Sequence, residues 1–290
     1  MHSVRPWPAL RDNVLTTTVD GLWALQVLTG IETVAPELGL RPHLPSVESK
    51  WLAWQHPVTA ELRAAGVVDG TDSVDPTVVE WLTVLSRHDV ALILHIRAPG
   101  DDEPARVLLA RFAQWWVALE RSADVIRISG AGTATAEGTA NTVLDRQIER
   151  LCGHLAPALL RPVTLDAGAL RTAAAGHEEL RSFLAGQGVD ADQMRLLILA
   201  ADPARSAQAS IVATQSGVET GRFQRTHVGP SAVTIIDTPE GRLVAEDVES
   251  GGRTWMIVAP GTSGNVAAAV HRMMRRLPAE QDWHSYRKVV

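Results

Sequence analysis

The stretch Leu15–Pro42, LTTTVDGLWALQVLTGIETVAPELGLRP, decides the fold class of this 290-residue chain. Leu15–Val19 is β-branched and reads as a short strand. Asp20 can cap the helix that follows, because a carboxylate accepts from free backbone N–H groups and suits the positive end of the helix dipole. Leu22, Trp23, Leu25, Gln26 and Leu28 give that helix an apolar face, and Gly30 stops it. A strand feeding an amphipathic helix and a Pro-framed turn is a packed α/β element that holds no group able to do chemistry.

The same grammar continues outward. Helices are predicted at Asp20–Thr29, Pro57–Ala65 and Pro76–Arg87, each with a start or stop signal. Strands follow at Ala91–Arg97, Ala105–Ala113, Gln114–Arg121 and Asp124–Ser129, and a helix over Glu137–Cys152 closes the unit. The linker Ala156–Pro162 then carries two prolines that break any helix. Beyond it the order repeats, with helices at Asp166–Ala175, Glu178–Ala185 and Asp190–Ala201. Strands at Ala207–Thr214, Ser231–Thr238, Arg242–Asp247 and Arg253–Ala259 precede a last helix, Ser263–Leu277, capped by Ser263. Short strand-to-strand connections imply antiparallel pairing. The expected architecture is therefore α+β with quasi-two-fold order. Residues 1–13 read as a flexible leader, 14–155 as the first half and 163–290 as the second, within one domain overall.

Charge and composition exclude several functions. The net charge of −6 does not suit a nucleic-acid surface. One cysteine, Cys152, cannot form an internal disulfide. Apolar runs such as Leu196–Ala201 fall far short of the ~20 residues that span a bilayer, and no secretory signal is visible, so a cytoplasmic protein is expected.

Catalytic and cofactor motifs are missing. There is no phosphate-binding G-x-x-x-x-G-K-[ST] string. The nearest glycine-rich turn, Ser129-Gly130-Ala131-Gly132-Thr133, lacks the third glycine of a dinucleotide fingerprint. A flexible strand-to-helix connection explains it, and an anion or nucleotide site at the following helix is the alternative. Gly261-Thr262-Ser263-Gly264 lacks the spacing of a hydrolase elbow. Cys152 sits at an apolar helix end rather than in the electropositive setting a reactive thiol needs. The histidines show no H-x-x-x-H or H-E-x-x-H spacing. The sequence is thus read as a non-enzyme without cofactor or metal.

Nine tryptophans stand out beside three phenylalanines and one tyrosine. Trp23 and Trp81 read as core. Trp115 and Trp116 must face opposite sides of a strand, so one meets a second packed layer or stands exposed as a binding anchor. The basic cluster His271-Arg272 with Arg275-Arg276 reads as a solvated helix end, where cations suit the dipole.

Across nearly the whole chain after Val14 the wording resembles the EspG family, the chaperones of ESX (type VII) secretion systems. LTTTVDGLWALQ, VAPELGLRP, HPVTAELRAAGVVD and DPTVVEWLTVL carry the likeness through the first helices, and FAQWWVALER through the first meander. AADPARSA, VTIIDTPEGRLV, VAPGT and RRLPAEQDWHSYRKVV carry it through the second half. Within the family the branch of the second ESX locus is the most similar in wording. The resemblance implies a central, largely antiparallel sheet flanked by N-terminal and C-terminal helical bundles. It also implies a cytosolic chaperone that binds PE–PPE heterodimers at the apolar PPE tip, prevents their aggregation and supports delivery to the cognate secretion system. By the same analogy the partner would meet the second half of the sheet and the loop after it, at Gln208, Ser210, Thr214, Val218, Phe223 and Thr234. The loop is expected over Gln215–Gly229, and the turn Ala98–Pro104 is a second candidate. The competing reading is a small-ligand or nucleotide-binding regulator that uses the Gly130–Thr133 turn. Two exposed sheet edges would also let the free chain pair with a second copy.

Overall fold

The computed structural model describes residues 14–217 and 226–288. Strand β1 (Val14–Thr18) leads into helix α1 (Val19–Thr29), which ends at Gly30 in the left-handed conformation, φ 74°. Thr18 rather than Asp20 is the cap: its hydroxyl oxygen accepts from the Gly21 N–H at 3.1 Å, and Asp20 lies in the first turn. The helix begins one residue earlier than the acid signal suggested, because the extended Thr18 already offers the acceptor. Segment 31–56 follows, with a 3-10 turn over Pro36–Leu38 and a short helix α2 (Lys50–Gln55). Helices α3 (Pro57–Ala64) and α4 (Pro76–Arg87) lead to β2 (Val90–Arg97), β3 (Ala105–Phe112), β4 (Trp115–Ser122) and β5 (Val125–Thr133), and α5 (Glu137–Cys152) follows.

The second half repeats this order. Strand β6 (Val163–Asp166), which the sequence did not reveal, opens it. Helices α6 (Ala167–Ala173), α7 (His177–Gly186) and α8 (Ala191–Ala201) come next. Strands β7 (Ala207–Ser216), β8 (Thr226–Thr238), β9 (Gly241–Ser250) and β10 (Arg253–Pro260) form the second meander, and α9 (Ser263–Met274) closes it. Thr262, not Ser263, caps α9, accepting from Asn265 N–H at 3.1 Å.

Among the described residues, ten strands join one antiparallel sheet in the order β1-β5-β4-β3-β2-β7-β8-β9-β10-β6. Five strands of one half are followed by five of the other in mirrored sequence, and the halves meet where β2 pairs with β7, Val90 opposite Gln215 and Arg97 opposite Gln208. This is the quasi-two-fold order.

Alternation along the strands assigns the layers. Ala91, Leu108, Ala110, Val117, Leu119, Ile126 and Ile128 point to one face, where they pack with α1, α3 and α4. In the second half the same face carries Leu243, Ala245 and Val258, packed with α7 and α8. Both helical bundles thus lie on one face. The opposite face carries Val90, Leu92, Leu94, Leu109, Ala118, Ile211, Val233 and Ile235 under α5 and α9, one core shared by both halves. Polar ties support it, including His271–Asp145 at 2.9 Å, Arg275–Glu137 at 2.6 Å and Arg272–Glu246 at 2.6 Å. The basic end of α9 is therefore ion-paired as well as solvated, with the Arg272 and Arg275 side chains still about half exposed.

Candidate functional site: an uncovered saddle on the sheet

Because both bundles sit at the flanks of one face, the middle of that face remains uncovered. Its floor is β2, β7 and β8. Register places Arg97 opposite Gln208, His95 opposite Ser210 and Ile93 opposite Val212, and Ser210 in turn opposite Thr234. Gln208, Ser210, Val212, Ala232 and Thr234 are half-buried on this face, while Val228, opposite Thr214 further along β8, is exposed. The stripe is therefore polar at the Gln208–Thr234 end and apolar at the Val228–Ala232 end. Val228 has 57 % of its surface free. Its neighbours Val233 and Ile235, one residue out of phase, are buried under α9.

Three of the residues expected from the sequence, Gln208, Ser210 and Thr234, are brought together here. The Gln208 side-chain amide also donates to the Ala200 carbonyl at 3.2 Å, which ties the saddle floor to α8. Thr214 lies on the same face but is 1 % exposed, and its hydroxyl donates to the Ala91 carbonyl at 3.4 Å. A residue so enclosed offers no surface to a partner, so it leaves the candidate set. Val218 and Phe223 lie outside the described residues. The loop expected over Gln215–Gly229 is shorter than the sequence suggested: Gln215 and Ser216 pair with His227 and Thr226 in the sheet. Gly229 ends the expected loop, but a register shift at this point of the ladder accommodates it and Pro230 within β8. Val228 was missed for that reason, since it falls within the expected loop.

The glycine turn of the competing reading is no turn. Gly130 and Gly132 belong to β5, opposite Val117 and Trp116, with a bulge between them. A Cβ at Gly130 would stand 3.4 Å from the Trp81 indole nitrogen. One at Gly132, φ +137°, would stand 3.2 Å from Val143 Cγ2. Close packing and backbone conformation account for Gly132, and the place of both glycines inside the ladder takes them away from the N-terminus of α5.

Neither member of the tryptophan pair is an exposed anchor. Trp116 is fully buried, edge-on to Trp283 at 6.3 Å, and Trp115 packs half-buried against the first bundle. Trp81 is core, whereas Trp23 is half-buried beside His56 and Arg41. Exposed large apolar side chains gather instead at Leu44, Val47, Trp51, Leu52 and Trp54 around α2.

Cys152 is partly buried, and burial pushes its thiol up to about 11 although Arg242 pulls the other way. At pH 8 about one thiol in a thousand is ionised. Iodoacetamide is therefore expected to label Cys152 about 100-fold more slowly than a free cysteine in the folded protein, and at the ordinary rate in denaturant. Equal rates in both conditions would contradict this assignment. Among the described residues, no three His, Cys, Asp or Glu side chains gather as a metal site requires, and no helix is long and apolar enough to cross a membrane.

Comparison with known proteins adds a second line. The family model described as the EspG family matches residues 18–272. Over 277 residues, 96 % of this chain and 100 % of the relative, the sequence is 49 % identical to the ESX-2 secretion-associated protein EspG2 of Mycobacterium tuberculosis. It is 27 % identical to the ESX-5 secretion-associated protein EspG5 of Mycobacterium marinum, over 95 % of this chain and 97 % of that one. Among solved structures, the fold is similar to the Mycobacterium tuberculosis type VII secretion system chaperone EspG5 in complex with the PE25–PPE41 dimer. That match has a TM-score of 0.73 at 23 % identity and covers 94 % of this chain and 100 % of that one.

Proposed function

The chain belongs to the EspG family, and from that premise we propose that it is a cytosolic chaperone whose saddle receives the apolar tip of the PPE subunit of a PE–PPE heterodimer. The observation that carries this reading is the uncovered stripe from Gln208 to Val228 between the two bundles. A solved structure of similar fold holds a chaperone with a PE–PPE dimer, which supplies the class of partner. An exposed apolar tip would self-associate, and covering each large side chain is worth ~1.5–3 kcal/mol. The apolar end of the stripe, Val212, Val228 and Ala232, would cover it. Gln208, Ser210 and Thr234, with His95 beside them, would form polar contacts that select the partner. Capture of this kind keeps the dimer soluble and presents it to the cognate secretion system without a catalytic step. The two halves, 14–155 and 163–290, act as one body in this reading, since the saddle floor takes β2 from the first and β7 and β8 from the second.

Co-expression with the PE–PPE pairs of the same ESX locus tests the proposal. A 1:1:1 complex that survives size-exclusion chromatography is expected with at least one pair. Elution of the chaperone alone in every case would end the reading.

A further inference from the structure

On the face opposite the saddle, the end of the chain crosses from one half to the other. Ala279 N–H donates to the Gln215 side chain at 3.0 Å, and Trp283 is fully buried on Trp116. Arg111, on β3 and also fully buried, donates through its two terminal nitrogens to the carbonyls of His284 and Tyr286. The Tyr286 hydroxyl reaches the Ser216 and Gly217 carbonyls at 2.9 and 3.1 Å. The chain then closes on Asp89, which is 1 % exposed: Lys288 N–H donates to it at 3.1 Å and the Arg287 guanidinium at 3.4 Å. Gly217, φ +74°, lets the two segments pass, since a Cβ there would stand 2.7 Å from Lys288 Cβ.

The anchors of this segment are unequal. Arg111, Asp89 and Trp116 belong to the first half and are buried, the first two ion-paired and Trp116 in ring contact with Trp283. Gln215, Ser216 and Gly217 belong to the second half, at the end of β7 that pairs with Thr226–Val228. That strand end carries the apolar part of the saddle on its other side. Ser216 has one further tie to the first half, its N–H donating to the Asp89 carbonyl at 2.9 Å. Residues 279–288 therefore fasten the outer end of β7, and β8 through its ladder with β7, to the first half from behind.

We infer that residues 284–288 are a strap that holds the Thr214–Gly217 and Thr226–Gly229 strand ends in place, with Tyr286 as a positioning residue that never touches the partner. The consequence for binding rests on the functional reading above; the strap itself does not. A strand end that samples other positions presents Val228 correctly only part of the time, and apparent affinity falls by that fraction.

The test compares the wild-type chain with Tyr286→Phe and with a chain ending after Trp283, which keeps the buried indole. In amide hydrogen exchange, Tyr286→Phe is expected to speed exchange several-fold at 214–217 and 226–229 alone, with the melting temperature nearly unchanged. The truncated chain should exchange faster still at those strand ends and also melt lower, because buried Arg111 and Asp89 lose their partners. Affinity for the PE–PPE pair captured in the co-expression experiment should fall measurably for Tyr286→Phe, by at most about 5-fold, the limit that one hydrogen bond of ordinary worth sets on the closed fraction. Unchanged exchange at those strand ends overturns the strap. Faster exchange with unchanged affinity overturns the positioning role. If the wild type binds no pair, the functional reading fails together with the affinity claim, while the exchange result still decides the strap.

Discussion

An arginine at Ser210 or Thr234 is expected to weaken capture of the PE–PPE dimer by two to three orders of magnitude while leaving the chaperone folded. The two side chains stand opposite each other on β7 and β8, half-buried on the uncovered face. In the free protein a long side chain there can lie along the sheet with its guanidinium in water, so the fold should lose no more than ~0.5 kcal/mol. In the complex the same charge is enclosed against an apolar tip without a partner. Several kcal/mol are lost in that way, and each 1.4 kcal/mol is a factor of about ten. Isothermal titration with the purified dimer, beside thermal unfolding of each variant, checks the split between binding and stability. Leu159→Arg is the control, because Leu159 is 98 % exposed in the connection between the halves and far in sequence from the saddle strands. Titrations of Ser210→Arg and Thr234→Arg that overlay the wild type would remove the saddle from the binding surface.

Trp116→Ala is expected to cost about 3–5 kcal/mol of stability, the largest effect of any single truncation considered for this chain. The indole is fully buried on β4, in contact with Trp283, and it sits in the core that α5 and α9 share. Its loss leaves a cavity that neighbours held by the sheet cannot fill. The melting temperature should fall by on the order of 10 °C. Trp54→Ala is the counterpart, since 42 % of that side chain is free and α2 packs only at the rim of the first bundle. A change below ~1 kcal/mol is expected there. Denaturant unfolding of both variants decides the matter. Equal effects would mean that the burial pattern does not govern stability here.

Particular elements show how far the sequence could be read. Helices α4 and α5 were legible to the residue, because Asp75-Pro76 fixes one start and Gly153 follows the other end. Strand β6 was not, since four residues behind Arg161-Pro162 carry no periodicity to detect. Gly130 and Gly132 looked like a turn because glycine signals freedom locally. The constraint that selects it at Gly132, a positive φ in a bulged ladder and the Val143 methyl of the next helix, comes from the packed layers. The outer end of β8 was hidden by Gly229-Pro230, which a register shift tolerates. Of the candidate site, Gln208, Ser210 and Thr234 were reached by resemblance to a family, not by any chemistry those residue types display.

The segment Leu15–Pro42 determined by itself what kind of protein this is. Its strand, helix and turn signals are local, and their repetition after the Ala156–Pro162 linker fixed the order of elements and hence the doubled α+β plan. What it could not determine is which surface stays open. Strand alternation separates two faces but does not say which of them helices will cover. Ser210 and Thr214 are in phase on the same strand, yet one borders the saddle and the other is buried. That difference arises from long-range packing, with the two bundles on one face, α5 and α9 on the other, and the chain end strapped across β3 and β7 through Arg111 and Tyr286. Side-chain periodicity belongs to the sequence; coverage belongs to the assembled layers.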